Sequence, residues 1–360
     1  MAQTGGINRV ATAAAAALVG LVALRKGSSE AGRERDEKRA RESEPSRGRD
    51  ARSPTDIPSA GWKDILWRTY EQLSRDRVML IAAGVTFYAI LALFPAMTAF
   101  ISIYGLFADP ETVVGHVRAM EGVLPGGAVE IVGGQMESLA QQPSGSLGFG
   151  FAIGLAIALW SANNGMKAII DAMNVAYNEG EGRSFIRLTM VSFMFTLGAI
   201  ALLIIAMGAI VVLPIVLGFI GDALGGTIEN ILNVARWPLL LLIVIFAISV
   251  LYRYGPNRER AEWRWVTPGS LLASVVWIIA SIGFSWYVSN FGTYNETYGS
   301  LGAIIGFMVW MWISATIIIM GAELNSEMEH QTKRDSTTGR SLPMGARGAV
   351  VADELGERRG

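Results

Sequence analysis

Four residues have the types and spacing to do chemistry: Asn164, Lys167, Asp171 and Asn174. On an α-helix, their offsets of three, seven and ten residues gather them within roughly 80 degrees of one face. That makes a polar stripe on an otherwise apolar segment, and such a stripe faces something other than lipid. Read functionally, ionisable groups at membrane depth mark a substrate or ion path. Read structurally, the stripe is a solvated helix mouth in which Lys167 and Asp171 pair in the weaker Lys-before-Asp order.

A second group is Arg253, Asn257, Arg258 and Arg264, set among Tyr254, Pro256, Trp263 and Trp265. Arginine forks onto phosphate oxygens and tryptophan sits well at headgroup depth, so this loop could hold an anionic lipid headgroup. Basic residues and Trp also gather at any cytoplasmic membrane boundary, which is the purely topological alternative. A third group, Asn290, Tyr294, Asn295, Tyr298, Gly299 and Ser300, suggests a constrained turn on the opposite side, either re-entrant or simply packed in a hairpin. Glu323, followed by Asn325 and Glu327, is expected to form a structural ion pair with an arginine such as Arg187 or Arg253.

Other chemistries have no residues to carry them. The chain has no Cys and two His, so thiolate zinc sites, disulfides and Cys nucleophiles are excluded. No P-loop, GxSxG, HExxH or metal-spaced carboxylate cluster occurs, and neither a cofactor nor a metal is expected.

The elements that position these groups read as membrane helices. Of the 360 residues, 51% are hydrophobic and only 17% charged, and the charges crowd into termini and a few loops. Val266 to Asn290 and Leu301 to Ala322 are uncharged, long enough to span, and joined by a loop without Lys or Arg. Spans are likewise expected over about 78–107, 147–177, 188–217 and 230–252, giving six in all. Pro95 should kink the first. The stretch 61–330 is thus expected to be an all-α, polytopic transmembrane helix bundle.

Ahead of the first span, Trp62, Ile65, Leu66, Tyr70 and Leu73 share one helical face, the pattern of an interfacial helix. The Ala-rich run 10–24 is an extra span or an anchor, and its basic, polar sequel argues against cleavage as a secretory signal. Residues 25–60 are too charged and too poor in aliphatic side chains to offset ordering entropy, and a disordered tail is expected there and again over 331–360. Gly150 with Gly154, and Gly302 with Gly306, put small residues four apart, which permits close helix packing. This supports a bundle and is no sign of a dimer; a homo-oligomer stays open.

Orientation follows from the loops. Arg68, Arg75 and Arg77, then Lys167, Arg183 and Arg187, then Arg253, Arg258, Arg260 and Arg264, then Lys333 and Arg334 all fall on one side. The intervening loops hold Arg118 and Arg236 against eight acidic residues. By the positive-inside rule the basic side is cytoplasmic.

Four segments together resemble the YihY or virulence factor BrkB family, historically also labelled ribonuclease BN. They are GVTFYAILALFPAMTAF (84–100), ALWSANNGMKAIIDAMNVAYNEGEGRSFIRL (158–188), LYRYGPNRERAEWRWVTPGSLLAS (251–274) and FSWYVSNFGTYNETYGSLGAIIGFMVWMWISATIIIMGAELNSEMEH (284–330). The resemblance covers about 62–329 and implies a six-span bacterial inner-membrane protein, some relatives being connected with serum resistance or export of lipid precursors. The expected function is transport or flipping of an anionic lipid or small anionic substrate, with membrane lipids as partners and no nucleic acid. A non-transporting membrane scaffold is the alternative. Ribonuclease activity, which would need clustered hard ligands or a paired acid and base, is the least supported reading.

Overall fold

The computed structural model describes residues 47–107, 144–207, 209, 226–291 and 300–359. The expected anchor at 10–24, the loop at 108–143 and the turn at 292–299 lie outside them. Among the described residues eight α-helices follow in order: α1 (Ser59–Arg75), α2 (Val78–Phe107), α3 (Ser144–Ala176), α4 (Phe185–Met207), α5 (Gly226–Tyr254), α6 (Trp263–Phe291), α7 (Ser300–Glu329) and the short α8 (Val350–Asp353). No β-strand occurs among the described residues; a single bridge joins Ala261 to Thr337.

Helices α2 to α7 occupy the stretches read as spans. By length and composition, four of the described helical segments can cross a membrane: Phe185–Ala206, Val234–Tyr254, Trp263–Val288 and Ile304–Glu329. In α2 the stretch Val78–Ala92 is a shorter apolar run. The exposed faces of these helices are oily, with Met194, Ile204, Leu242, Phe246, Ile279 and Trp286 all outward, the inside-out surface that lipid rather than water accommodates.

The packing order is α4, α3, α2, α7, α6, α5, with α7 also touching α3 and with α1 lying against α7. Among the described residues α4 and α5, at the two ends of this row, share no packed face. α6 and α7 meet most closely where two glycines face each other. A Cβ on Gly269 would strike the Gly321 carbonyl, and one on Gly321 would strike the Tyr252 hydroxyl and come within 2.7 Å of the Gly269 carbonyl oxygen. The pair read from sequence behaves differently: Gly306 has open space around its missing side chain, so the close approach sits at the other end of α7.

Contacts gather all the basic loops at one end of the bundle. Asn257 in the α5–α6 loop donates to the Gly180 carbonyl at 2.9 Å, Arg183 donates to the Gly255 carbonyl at 3.0 Å, and Val350 N–H donates to Glu179 at 2.8 Å. This polar end holds nearly all the buried charge.

α1 splits the apolar face expected of it: Ile65 is fully buried and Trp62 and Leu73 pack against the core, while Leu66 and Tyr70 do not. Its polar residues Asp64 and Arg68 are buried against the protein, while Leu66, Trp67 and Tyr70 face outward. Apolar and aromatic residues pointing away from the bundle suit a helix lying at headgroup depth.

Of the expected tails, residues 25–46 lie outside the described residues, and the described parts differ from expectation. Residues 47–58 and 331–359 are folded onto each other and onto the polar end. Arg49 is fully buried and donates to the carbonyls of His330, Gln331 and Gly356, while Lys333 N–H donates back to the Arg49 carbonyl at 2.8 Å. Arg347 donates to the carbonyls of Leu342, Arg334, Ala352 and Lys333, and Asp353 accepts from the Gly345 and Arg347 N–H groups. Order here comes from charge-assisted hydrogen bonds to backbone rather than from apolar burial, so a composition rule based on aliphatic content does not detect it.

Candidate functional site

The polar end is built outward from the last turns of α7. Asn325 accepts from Gly269 N–H at 2.8 Å and donates to the Val266 carbonyl at 3.0 Å, supplying partners to the first turns of α6, where Pro268 interrupts the helix ladder. Glu327 binds Arg68 of α1 at 2.5 Å, and the same guanidinium reaches the Glu327 carbonyl, Gln331 and the Glu357 carbonyl. Glu329 takes both prongs of Arg258 at 3.0 and 2.6 Å and a further bond from Ser336. Arg258 also lies over the Tyr177 ring at 4.9 Å. Burial alone would weaken its charge, but Glu329 beside it raises its pKa above the ordinary value.

On the outer rim, Arg47 holds the Asp64 carboxylate at 2.7 Å. Burial pushes that carboxyl up, yet the bonds from Arg47 and Arg359 N–H outweigh it and leave Asp64 below the usual range. A cleft of about 290 Å³ opens between α1, the end of α7 and the C-terminal segment. Its arginines Arg68, Arg75 and Arg359 already lie against Glu327 or Glu71, and Glu354 and Glu357 line it too, so it offers no net attraction for an anion.

The stripe on α3 divides. Asn174 is buried and structural: it donates to Glu181 at 3.0 Å and accepts from Asn257 N–H at 2.7 Å, tying the α3–α4 loop to the α5–α6 loop. Glu181 in turn is held below its ordinary pKa, first by Arg183 at 2.6 Å. Asp171 is exposed, Asn164 and Lys167 are half-buried, and Lys167 lies over the Phe185 ring at 4.9 Å instead of pairing with Asp171. Asn163, next to the stripe and missed by the period count, is the buried member of the pair, and its Oδ1 has no partner. Replacing Asn174 by alanine strands Asn257 N–H, and a loss of about 1–3 kcal/mol in unfolding free energy is expected, read as a fall in Tm of the detergent-purified protein.

The second group also divides. Asn257 and Arg258 are engaged as just described, and Arg264 is half-exposed beside Glu262. Arg253 is different. Its guanidinium stacks over Trp263 at 4.5 Å and Tyr254 at 5.4 Å, while its Nε and Nη1 are buried without a hydrogen-bond partner. Trp263 also stacks on Phe246 of α5, with ring centroids 5.9 Å apart. A planar cation lying against two aromatic rings, with donors unspent, can receive a phosphate or carboxylate.

Glu323 does not meet Arg187 or Arg253. It is 1% exposed and lies in hydrogen-bond contact with Asp76, in the turn between α1 and α2, with Glu327 nearby. A carboxyl therefore takes the place expected for an arginine. The spacing rules were blind to this because Asp76 and Glu323 are 247 positions apart in sequence and meet only through the packing of α7 on α1 and α2.

Known proteins bear on this arrangement. The family model described as virulence factor BrkB matches residues 69–343. A putative ribonuclease-like protein, YfkH of Bacillus subtilis, is 32% identical over 260 residues, covering 70% of this chain and 90% of that protein. A UPF0761 membrane protein of Methylibium petroleiphilum is 25% identical over 264 residues, 72% of this chain and 61% of its own length. Another UPF0761 membrane protein, from Vibrio atlanticus, is 23% identical over 283 residues, 74% of this chain and 87% of its own length. No solved structure matches. The matched stretch takes in α2 through α7 and most of the polar end, and the chain is a multi-pass integral membrane protein belonging to the virulence factor BrkB family.

Proposed function

We propose that the protein moves an anionic lipid, or a small anionic substrate, across a bacterial inner membrane, with six spans, the polar end in the cytoplasm and Arg253 as the first contact for the anion. The observation that carries this reading is the Arg253 guanidinium, stacked on Trp263 with Nε and Nη1 buried and unpartnered. Leaving such a cation unpaired is costly, and a phosphate would offset that cost with a forked, charge-assisted contact that lysine cannot reproduce. Phosphates of anionic lipids lie at the depth where Trp and Arg flank a span.

Two further features support the reading. Among the described residues α4 and α5 share no packed face, which leaves a flank of the helix row for a lipid to approach. Lys167, over the first residue of α4, supplies a second cation on the half-buried part of the α3 stripe, with Asn163 and Asn164 deeper on the same helix. Asp171 and Asn174, also in that stripe, are assigned to the solvated mouth and the loop clamp. The ribonuclease-like name belongs to the Bacillus subtilis relative, and among the described residues no group of three or more His, Asp or Glu could hold a metal for phosphodiester cleavage.

The test is lipid translocation in proteoliposomes, using a fluorescent phosphatidylglycerol and a membrane-impermeant quencher. Wild-type protein is expected to accelerate translocation over protein-free vesicles, and Arg253→Ala to slow it about tenfold, equivalent to about 1.4 kcal/mol of lost stabilisation. Translocation equal to that of protein-free vesicles would instead favour a scaffold.

A further inference from the structure

The Asp76 and Glu323 side chains are in hydrogen-bond contact, yet Asp76 Oδ2 and Glu323 Oε1 are both buried without any donor. Ionised carboxylates only accept, so two of them in contact repel unless a proton lies between them. Among the described residues no cation lies within ion-pair distance of either carboxyl. From α7, Glu327 adds negative charge, and its own compensating partners are Arg68 and, at 3.6 Å, His330. From the α1 end, Arg75 is the cation acting on Asp76, but it is 62% exposed and leans toward Glu71 at 3.7 Å. From the end of α3, Tyr177 lies within electrostatic reach of Glu323. A structural ion pair would have placed an arginine here, as it does at Glu327 and Glu329 two turns or less away.

The turn that presents Asp76 is a tight one. Asp76 N–H bonds to the Gln72 carbonyl at 2.8 Å, and Arg77 adopts a left-handed backbone with φ of 51°, an uncommon conformation for a side-chain-bearing residue. Among the described residues no group of three or more His, Asp or Glu side chains could hold a metal ion.

We propose that Asp76 and Glu323 form a proton-binding site that joins the α1–α2 turn to α7, holding one proton between the two carboxyls at neutral pH. The shared proton binds α7 to the turn. Its release leaves two facing anions that push the end of α7, with Glu327 and Glu329, away from α1 and α2. Burial raises the Asp76 carboxyl above its ordinary pKa, and Glu327 adds to the rise. The sign follows: the folded protein holds this proton more tightly than the unfolded chain, so stability is full below the unfolded carboxyl value and falls as pH rises through the folded one.

The experiment is infrared difference spectroscopy of the full-length protein in lipid nanodiscs, titrated from acid to alkaline pH. The wild type is expected to show a protonated carboxylic acid band that survives at neutral pH and is lost only above the ordinary carboxylate range. Glu323→Gln and Asp76→Asn should each remove it. In parallel, the wild-type Tm should fall between neutral and alkaline pH, and Glu323→Gln should flatten that slope. The wild-type spectrum decides the matter even if both variants misfold: absence of a protonated carboxyl at neutral pH overturns the proposal. A band retained in both variants, or one displaced by sodium at fixed pH, overturns it as well.

Discussion

Glu329→Ala is expected to lower the unfolding free energy by about 3–5 kcal/mol, the cost of leaving a buried charge without its partner. Arg258 and Glu329 have side-chain exposures of 2% and 0%, their contact is bidentate, and Ser336 completes the carboxylate's shell. Without Glu329 the guanidinium keeps the Glu259 carbonyl, the Tyr177 face and the more distant influence of Glu179. The effect should appear as a fall in Tm of the purified protein. Arg258→Lys should lose part of it too, because a lysine cannot fork onto both oxygens. Replacing both residues by methionine should recover much of the loss, since two well-packed apolar side chains avoid the desolvation cost that the charges carry. An alanine variant within about 1 kcal/mol of wild type would show that water reaches Arg258 freely.

The second large effect is expected at Gly269. An added methyl there meets the Gly321 carbonyl and, within 2.5–2.6 Å, the Asn325 side-chain amide. Backbone cannot move aside as a flexible side chain can, so Gly269→Ala must separate α6 from α7 or break the Asn325 clamp. Overpacking of this kind costs about 1–3 kcal/mol or more. Gly306→Ala is the internal control: its Cβ has open space, and alanine favours the helix by roughly 1 kcal/mol over glycine. Tm measurements on the two variants should therefore move in opposite directions. Equal, small shifts would mean that α6 and α7 are not in contact at this point in the membrane.

The helices were legible in the sequence because lipid imposes a simple constraint: each crossing must satisfy its own backbone, so spans appear as long uncharged runs. The grouping of basic loops at one end followed from charge alone, and the contacts from Asn257, Arg183 and Arg258 bring those loops together. What was not legible is how each polar residue is used. Asn174 and Asp171 fall on one stripe by periodicity, yet one clamps two loops and the other faces solvent. Arg253 and Arg258 look alike in sequence; a carboxylate on α7 engages one and leaves the other with unspent donors. Glu323 was expected to find an arginine and found Asp76, because partner choice is set by which helix packs on α7. The folded terminal segments were hidden for a different reason, since buried arginines such as Arg49 and Arg347 order them through carbonyls, which every residue has and no sequence pattern reveals.

The central claim is that Arg253, lying against Trp263 and Tyr254, receives an anionic headgroup. Native mass spectrometry of the protein released from mixed phosphatidylglycerol and phosphatidylethanolamine nanodiscs measures this directly. The wild type is expected to retain phosphatidylglycerol preferentially, and Arg253→Gln to lose that preference while remaining folded. Equal retention of the two lipids by the wild type, or an unchanged preference in Arg253→Gln, would contradict the assignment.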